Sequence, residues 1–164
     1  MSLTRILIGM HTRKSWREKL DNPSLPKVAA IPAKWQKRFG AGDMLIPHPR
    51  EVDAFIRTVR KGSVTTVSRI REFLAGKHSV AVTCPLTTGI FIRIAAEAAE
   101  EEAGAGKVKI TPYWRVVKDD GSLNPKFPGG VERQAERLRA EGHCIVPGRG
   151  KRPPRVADVT VICR

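Results

Sequence analysis

Cysteine is scarce in this chain and never closely paired. Cys84, Cys144 and Cys163 stand at unrelated spacings, which implies neither a disulfide framework nor a zinc knuckle. His78 and His143 supply no Cys-x-x-Cys pair with a third or fourth ligand, so no metal and no other cofactor is expected. Aromatic residues make up only 5% of the sequence, with a single tyrosine, Tyr113. Long apolar runs are missing as well: Ile6-Leu7-Ile8 is bounded by Arg5 and Gly9, far short of a signal sequence or a membrane span. The expectation is a cytoplasmic protein with no membrane partner.

Negative charge is the other shortage. The 164 residues carry 16 Asp and Glu against 30 Lys and Arg, a formal net charge of +14. That imbalance exceeds what solubility needs and points to a polyanionic partner, nucleic acid first. A hydrophobic content of 41% suffices for one ordinary core. The chain divides into a basic, Pro-containing N-terminal arm at 1–43, a central domain at 44–146 and a basic tail at 147–164. In the arm, short helices at Ser15 to Leu20 and Ala33 to Phe39 are kept apart by Asn22-Pro23 and Leu25-Pro26. It either packs on the domain through Trp16, Trp35 and Phe39 or orders on a partner. The tail, with Gly148-Arg149-Gly150-Lys151-Arg152, reads as irregular, either a phosphate-binding extension or a solvated linker.

The central domain reads as mostly α with a few short strands. A helix from Pro49, stopped at Gly62, buries Val52, Phe55, Ile56 and Val59. A second starts at the N-cap Thr66 and buries Ile70, Phe73 and Leu74. The third runs from Pro85 to about Ala103, with Leu86, Ile90, Ile94 and Ala98 inward and Pro85, Gly89, Arg93 and Ala96 outward. A small outward face with one cation suits entry into a DNA groove. Glu97, Glu100, Glu101 and Glu102 confine that contact to the helix's first half, because they repel phosphate. Candidate DNA contacts are therefore Thr65, Thr66, Ser68, Arg69 and Arg71 to phosphates, and Thr87, Thr88, Gly89 and Arg93 in the groove. A strand at Lys107 to Ile110, a last helix after Gly129-Gly130 burying Val131, Ala135 and Leu138, and an edge strand at Val159 to Ile162 complete the reading.

Between that third helix and the last lies Thr111-Pro112-Tyr113-Trp114-Arg115-Val116-Val117, then Asp119-Asp120-Gly121-Ser122-Leu123 and Phe127-Pro128-Gly129-Gly130. Two rings and a cation in one short connection suggest a surface for a flat ring, a base pocket of Tyr113, Trp114 and Arg115.

With these motifs in this order, residues 44–143 resemble the DNA-binding domain of 6-O-alkylguanine-DNA alkyltransferases. They are closer still to the alkyltransferase-like proteins that lack the acceptor cysteine. The resemblance implies a winged helix-turn-helix-like domain that binds double-stranded DNA, in some members alongside other DNA-repair proteins. Where the family has Pro-Cys-His-Arg-Val, this chain has Pro112-Tyr113-Trp114-Arg115-Val116. Tyr113 thus stands at the alkyl acceptor and Trp114 at the relay histidine, while Glu141 matches the relay acid. A phenol without an imidazole is a poor nucleophile at neutral pH, so a non-enzymatic protein is expected. The family's base-replacing arginine aligns with Gly89, with Arg93 one turn on as its candidate substitute, and its phosphate-pushing tyrosine aligns with Val67. Three readings follow: recognition of alkylated or distorted DNA in repair, a helix-turn-helix regulator or nucleoid-type protein without damage recognition, and residual alkyl transfer through Cys84, which stands at a predicted helix N-terminus on the side expected to meet DNA.

Overall fold

The computed structural model describes residues 13–158. Among them the helices carry most of the ordered chain, and the strands are short and fall in three small sheets. The first helix, α1 (Trp16–Leu20), is closed by a capping box in which Ser15 Oγ accepts from the Glu18 amide and the Glu18 carboxylate accepts from the Ser15 amide. Strand β1 (Lys27–Ala30) lies antiparallel to β2 (Asp43–Ile46), with α2 (Ala33–Phe39) between them. Trp35 and Phe39 pack on a small core of Ile31, Met44 and Cys84. Residues 13–43 are therefore joined to the domain by strand pairing as well as by Trp16, Trp35 and Phe39.

The helix α3 (Pro49–Thr58) begins as Pro49 predicts, capped by His48, whose Nδ1 accepts from the Arg50 amide. It stops at Thr58 rather than running to Gly62. After β3 (Thr65–Thr66) comes α4 (Val67–Lys77), with Thr66 Oγ1 accepting from the Arg69 amide. Ile70 and Leu74 are buried, but Phe73 is 51% exposed. It lies instead against Phe55, ring centroids 4.9 Å apart, on the flank shared by α3 and α4.

Strand β4 (Val82–Thr83) pairs with β2 and leads into α5 (Pro85–Gly104), the long helix at the centre of the fold. The predicted inward stripe is wrong at its start: Leu86 is 64% and Ile90 49% exposed, while Thr88, Phe91, Ile92, Ala95, Ala96, Ala98 and Ala99 are buried. The first half of α5, apolar nearly all round, carries no periodic signal to choose its face. Its neighbours choose instead: α1, α3, α4 and the turn at Tyr113 all pack on it, and the alanines permit that close approach.

The predicted strand at Lys107 to Ile110 does not form; those residues are bends and coil, with Val108 almost fully exposed. A 3-10 turn at Tyr113–Arg115 precedes β5 (Val116–Val117), which pairs parallel with β3. Then α6 (Gly130–Ala140) buries Gln134, Ala135 and Leu138. The tail is not irregular throughout: β6 (Ile145–Val146) and β7 (Arg155–Val156) pair antiparallel, and Val156 enters a second core with Val64, Val117, Leu123 and Leu138. The strand expected at Val159 to Ile162 lies outside the described residues, as does Cys163. Among the described residues no helix is long and apolar enough to cross a membrane.

Candidate nucleic-acid interface

Tyr113 is 1% exposed. Its ring stands edge-on to Trp114 and Phe127, centroids 5.5 and 5.3 Å away, and its hydroxyl donates to Glu100 Oε1 at 2.7 Å. Burial, then the hydrogen bond to Glu100, pushes the phenol well above its ordinary value. The ring therefore has no free face for a base, and the expected role of Tyr113 as a pocket wall is corrected: the 3-10 turn points it into the core formed with α5.

Glu141 explains the next two residues. Its carboxylate accepts from Trp114 Nε1 at 2.9 Å and from Arg115 Nε and Nη2 at 2.9 and 2.8 Å, and it also takes the Gly62 amide at 3.3 Å. Arg115 Nη1 donates to the Val59 carbonyl at 2.6 Å. Burial raises the Glu141 carboxyl, but the hydrogen bonds from Arg115 and Trp114 outweigh it and hold the group below the usual carboxylate range. Arg115 is thus a strut between α6 and the end of α3, which corrects its placement as a base contact. Trp114, like Arg115, is half-buried beside open space. It borders a cleft of about 830 Å³ that includes Lys109 and Arg137, with the Arg137 guanidinium 4.4 Å from its ring centroid.

Several expected DNA contacts are turned inward. Thr65, Thr66 and Thr88 are buried, and the Thr88 hydroxyl is spent on the Cys84 carbonyl at 2.7 Å. Ser68 gives its amide and hydroxyl to the Asp119 carboxylate at 3.0 and 2.7 Å, so an acid occupies the place proposed for a phosphate. Arg71 is half-buried, its Nε on the Thr83 carbonyl at 3.1 Å, and burial lowers its pKa. Thr87 is half-buried, while Arg69, Gly89 and Arg93 are exposed. A Cβ added at Gly89 would meet nothing within 4 Å. Gly89 and Arg93, with Thr87 at their edge, share the outer face of α5 with Leu86 and Ile90, which the periodicity had hidden.

The glutamates of α5 differ from expectation too. Glu100 pairs with Arg137 at 2.7 Å and Arg133 at 3.7 Å, Glu101 accepts from the Trp16 and Arg17 amides at 2.9 and 3.0 Å, and Glu102 takes Lys107 at 2.8 Å. Their charge is spent at home rather than turned against a ligand. Two further groups escaped the sequence reading. Gln134 Nε2 donates to the Trp114 and Val116 carbonyls at 3.1 and 2.9 Å, fixing the 3-10 turn, and Asp53 accepts from Thr111 Oγ1 at 2.6 Å. Only long-range pairing reveals either role.

Cys84 is 4% exposed, enclosed with Ile31 and Met44. As the N-cap of α5 it makes no side-chain cap, and its thiol is shut away from any duplex, which corrects its candidacy as an acceptor. Among the described residues no group of His, Cys, Asp and Glu side chains is arranged to hold a metal ion. In comparisons with known proteins, no family model, curated protein or solved structure matches the chain.

Proposed function

We propose that this is a non-enzymatic protein that binds double-stranded DNA through the first half of α5, on a winged helix-turn-helix-like scaffold of the alkyltransferase-like type. In this reading α4 and α5 are the two helices and the β6–β7 hairpin is the wing. The observation that carries it is the outer face of α5, where Leu86, Gly89, Ile90 and Arg93 are exposed together with no acid in the first turn. Large apolar side chains, a bare backbone and a cation side by side match a groove floor flanked by phosphates. A buried phenol with a raised pKa at the acceptor position and an enclosed thiol at Cys84 support binding without alkyl transfer.

The filled seat at Tyr113 favours reading of intact duplex, as in a regulator or nucleoid-type protein. Damage recognition is the second reading, favoured by the open cleft beside Trp114; under it the chain marks alkylated or distorted DNA for repair partners. One experiment separates the readings: anisotropy titration of plain and 6-O-methylguanine duplexes from about 50 to about 200 mM salt. Tight binding at low salt with a steep negative log–log slope is expected, equal on both duplexes. A preference for the modified duplex transfers the conclusion to damage recognition. Absence of binding at low salt, or a flat slope, sinks the DNA reading, and a methyl gain on the intact protein sinks the non-enzymatic one.

A further inference from the structure

Basic side chains gather again at the far end of α5. The cleft of about 830 Å³ beside Trp114 opens there, between the end of α3, the 107–112 segment and α6. Its walls carry Arg57, Lys107, Lys109, Arg115 and Arg137, and no carboxylate among the described residues. Ala103, which also lines it, lies about 21 Å along the α5 axis from Gly89 at a rise of about 1.5 Å per residue. The cleft is therefore separate from the face that exposes Leu86 and Ile90. Four of its cations are tethered by carboxylates set behind them: Arg57 to Asp53 at 2.9 Å, Lys107 to Glu102 at 2.8 Å, Arg115 to Glu141 at 2.8 Å and Arg137 to Glu100 at 2.7 Å. The tethers offset much of the charge seen from a distance and fix where the cations stand. Donors remain to spare. Arg137 gives Nη2 to Glu100, while its Nε and Nη1, like Lys109 Nζ, have no acceptor among the described residues.

We infer that this cleft binds a free nucleoside triphosphate, with the phosphates on Lys109 and Arg137 and the base against Trp114, Ile110 and Pro112. The inference does not depend on the duplex reading and adds a second ligand to it. The volume falls within the range of about 300–1,000 Å³ usual for small-molecule pockets, which join apolar walls to a few convergent polar groups. Both kinds of wall meet here. The Trp114 ring is fixed by its Nε1 bond to Glu141, and the Arg137 guanidinium stands 4.4 Å from its centroid, so one ligand reaches both. Inorganic phosphate would satisfy the spare donors and leave the ring and its apolar neighbours in water. A nucleoside without phosphates would do the reverse. A base joined to a phosphate chain uses the two together, and the tethered side chains lower the ordering cost of holding it.

The test titrates the full chain with ATP by calorimetry, and in parallel with inorganic triphosphate and with adenosine. ATP should saturate one site per chain and bind at least about tenfold tighter than triphosphate, the share supplied by the base on its aromatic neighbour. Adenosine should not saturate. Lys109→Glu should weaken ATP by about tenfold or more and keep the thermal midpoint, because Lys109 is exposed and holds no partner among the described residues. Lys34→Glu, the same change of charge on exposed α2, should leave ATP binding as it was. Absence of saturable ATP binding overturns the inference. Equal affinity for triphosphate and ATP overturns it too, because the cleft would then read charge alone. Equal effects of Lys109→Glu and Lys34→Glu remove the ligand from this cleft. A 6-O-methylguanine duplex that displaces ATP, where a plain duplex at the same concentration does not, assigns the cleft to a base held in DNA and overturns the free nucleotide.

Discussion

Glu141 is the residue on which the turn at Trp114 and Arg115 depends. It is nearly buried, as is the Arg115 guanidinium it faces at 2.8 Å, and removing one partner of such a pair strands the other charge in a poor solvent. Glu141→Gln should cost about 3 kcal/mol, the low end for a buried pair that loses one member, because the amide oxygen still accepts from Trp114. The sign with pH follows from the depressed carboxyl. Its contribution is complete above the unfolded value of about 4.3 and is lost as pH falls through the lower folded value. Chemical unfolding of both proteins at neutral pH and well below pH 4 should show the gap closing in acid. A gap independent of pH would assign the loss to packing instead. Tyr113 is held by the same logic with opposite chemistry, kept protonated by burial and by the Glu100 acceptor.

At the scale of elements, α5 makes two different uses of its length. Its second half is clamped by α1, α3 and the Tyr113 turn, and its first half leaves Leu86 and Ile90 in water. Their exposure stabilises nothing in the free protein. Leu86→Ala combined with Ile90→Ala should therefore leave the thermal midpoint in place and weaken duplex binding by about tenfold, the loss of about 1.4 kcal/mol of apolar contact. The salt slope should stay the same, since no counterion is tied to a methyl group. Unchanged affinity would place these side chains away from the duplex. Helix existence was legible in the sequence because caps and stops are local: Ser15, Thr66, Pro85 and Gly129-Gly130 all mark real boundaries. The orientation of α5 was not, because an apolar helix takes its face from neighbours distant in sequence. The contacts of Ser68, Arg115 and Gln134 were hidden for the same reason, each depending on a partner 18 to 56 residues away.

For the whole molecule, the net charge of +14 acts on stability and on binding with opposite signs. Carboxylates of α5 and Glu141 are paired internally, Glu97 with Arg93 among them, which leaves surplus cations such as Arg149, Lys151, Arg152 and Arg155 facing solvent. Repulsion among them destabilises the compact state. Added salt shortens the Debye length from about 30 Å at 0.01 M to about 10 Å at 0.1 M and screens that repulsion. It screens the exposed pair Arg50–Asp21 as well, but exposed pairs contribute little. Raising sodium chloride over this range should lift the melting temperature of the free protein by about 2–4 °C, equivalent to about 1 kcal/mol for a chain of this size. The same salt should weaken the DNA complex steeply. Melting curves with and without duplex in one salt series would show the two trends converge and cross. If the free protein instead melts lower as salt rises, its cations stabilise the fold through ion pairs, and the charge surplus no longer argues for a polyanionic partner.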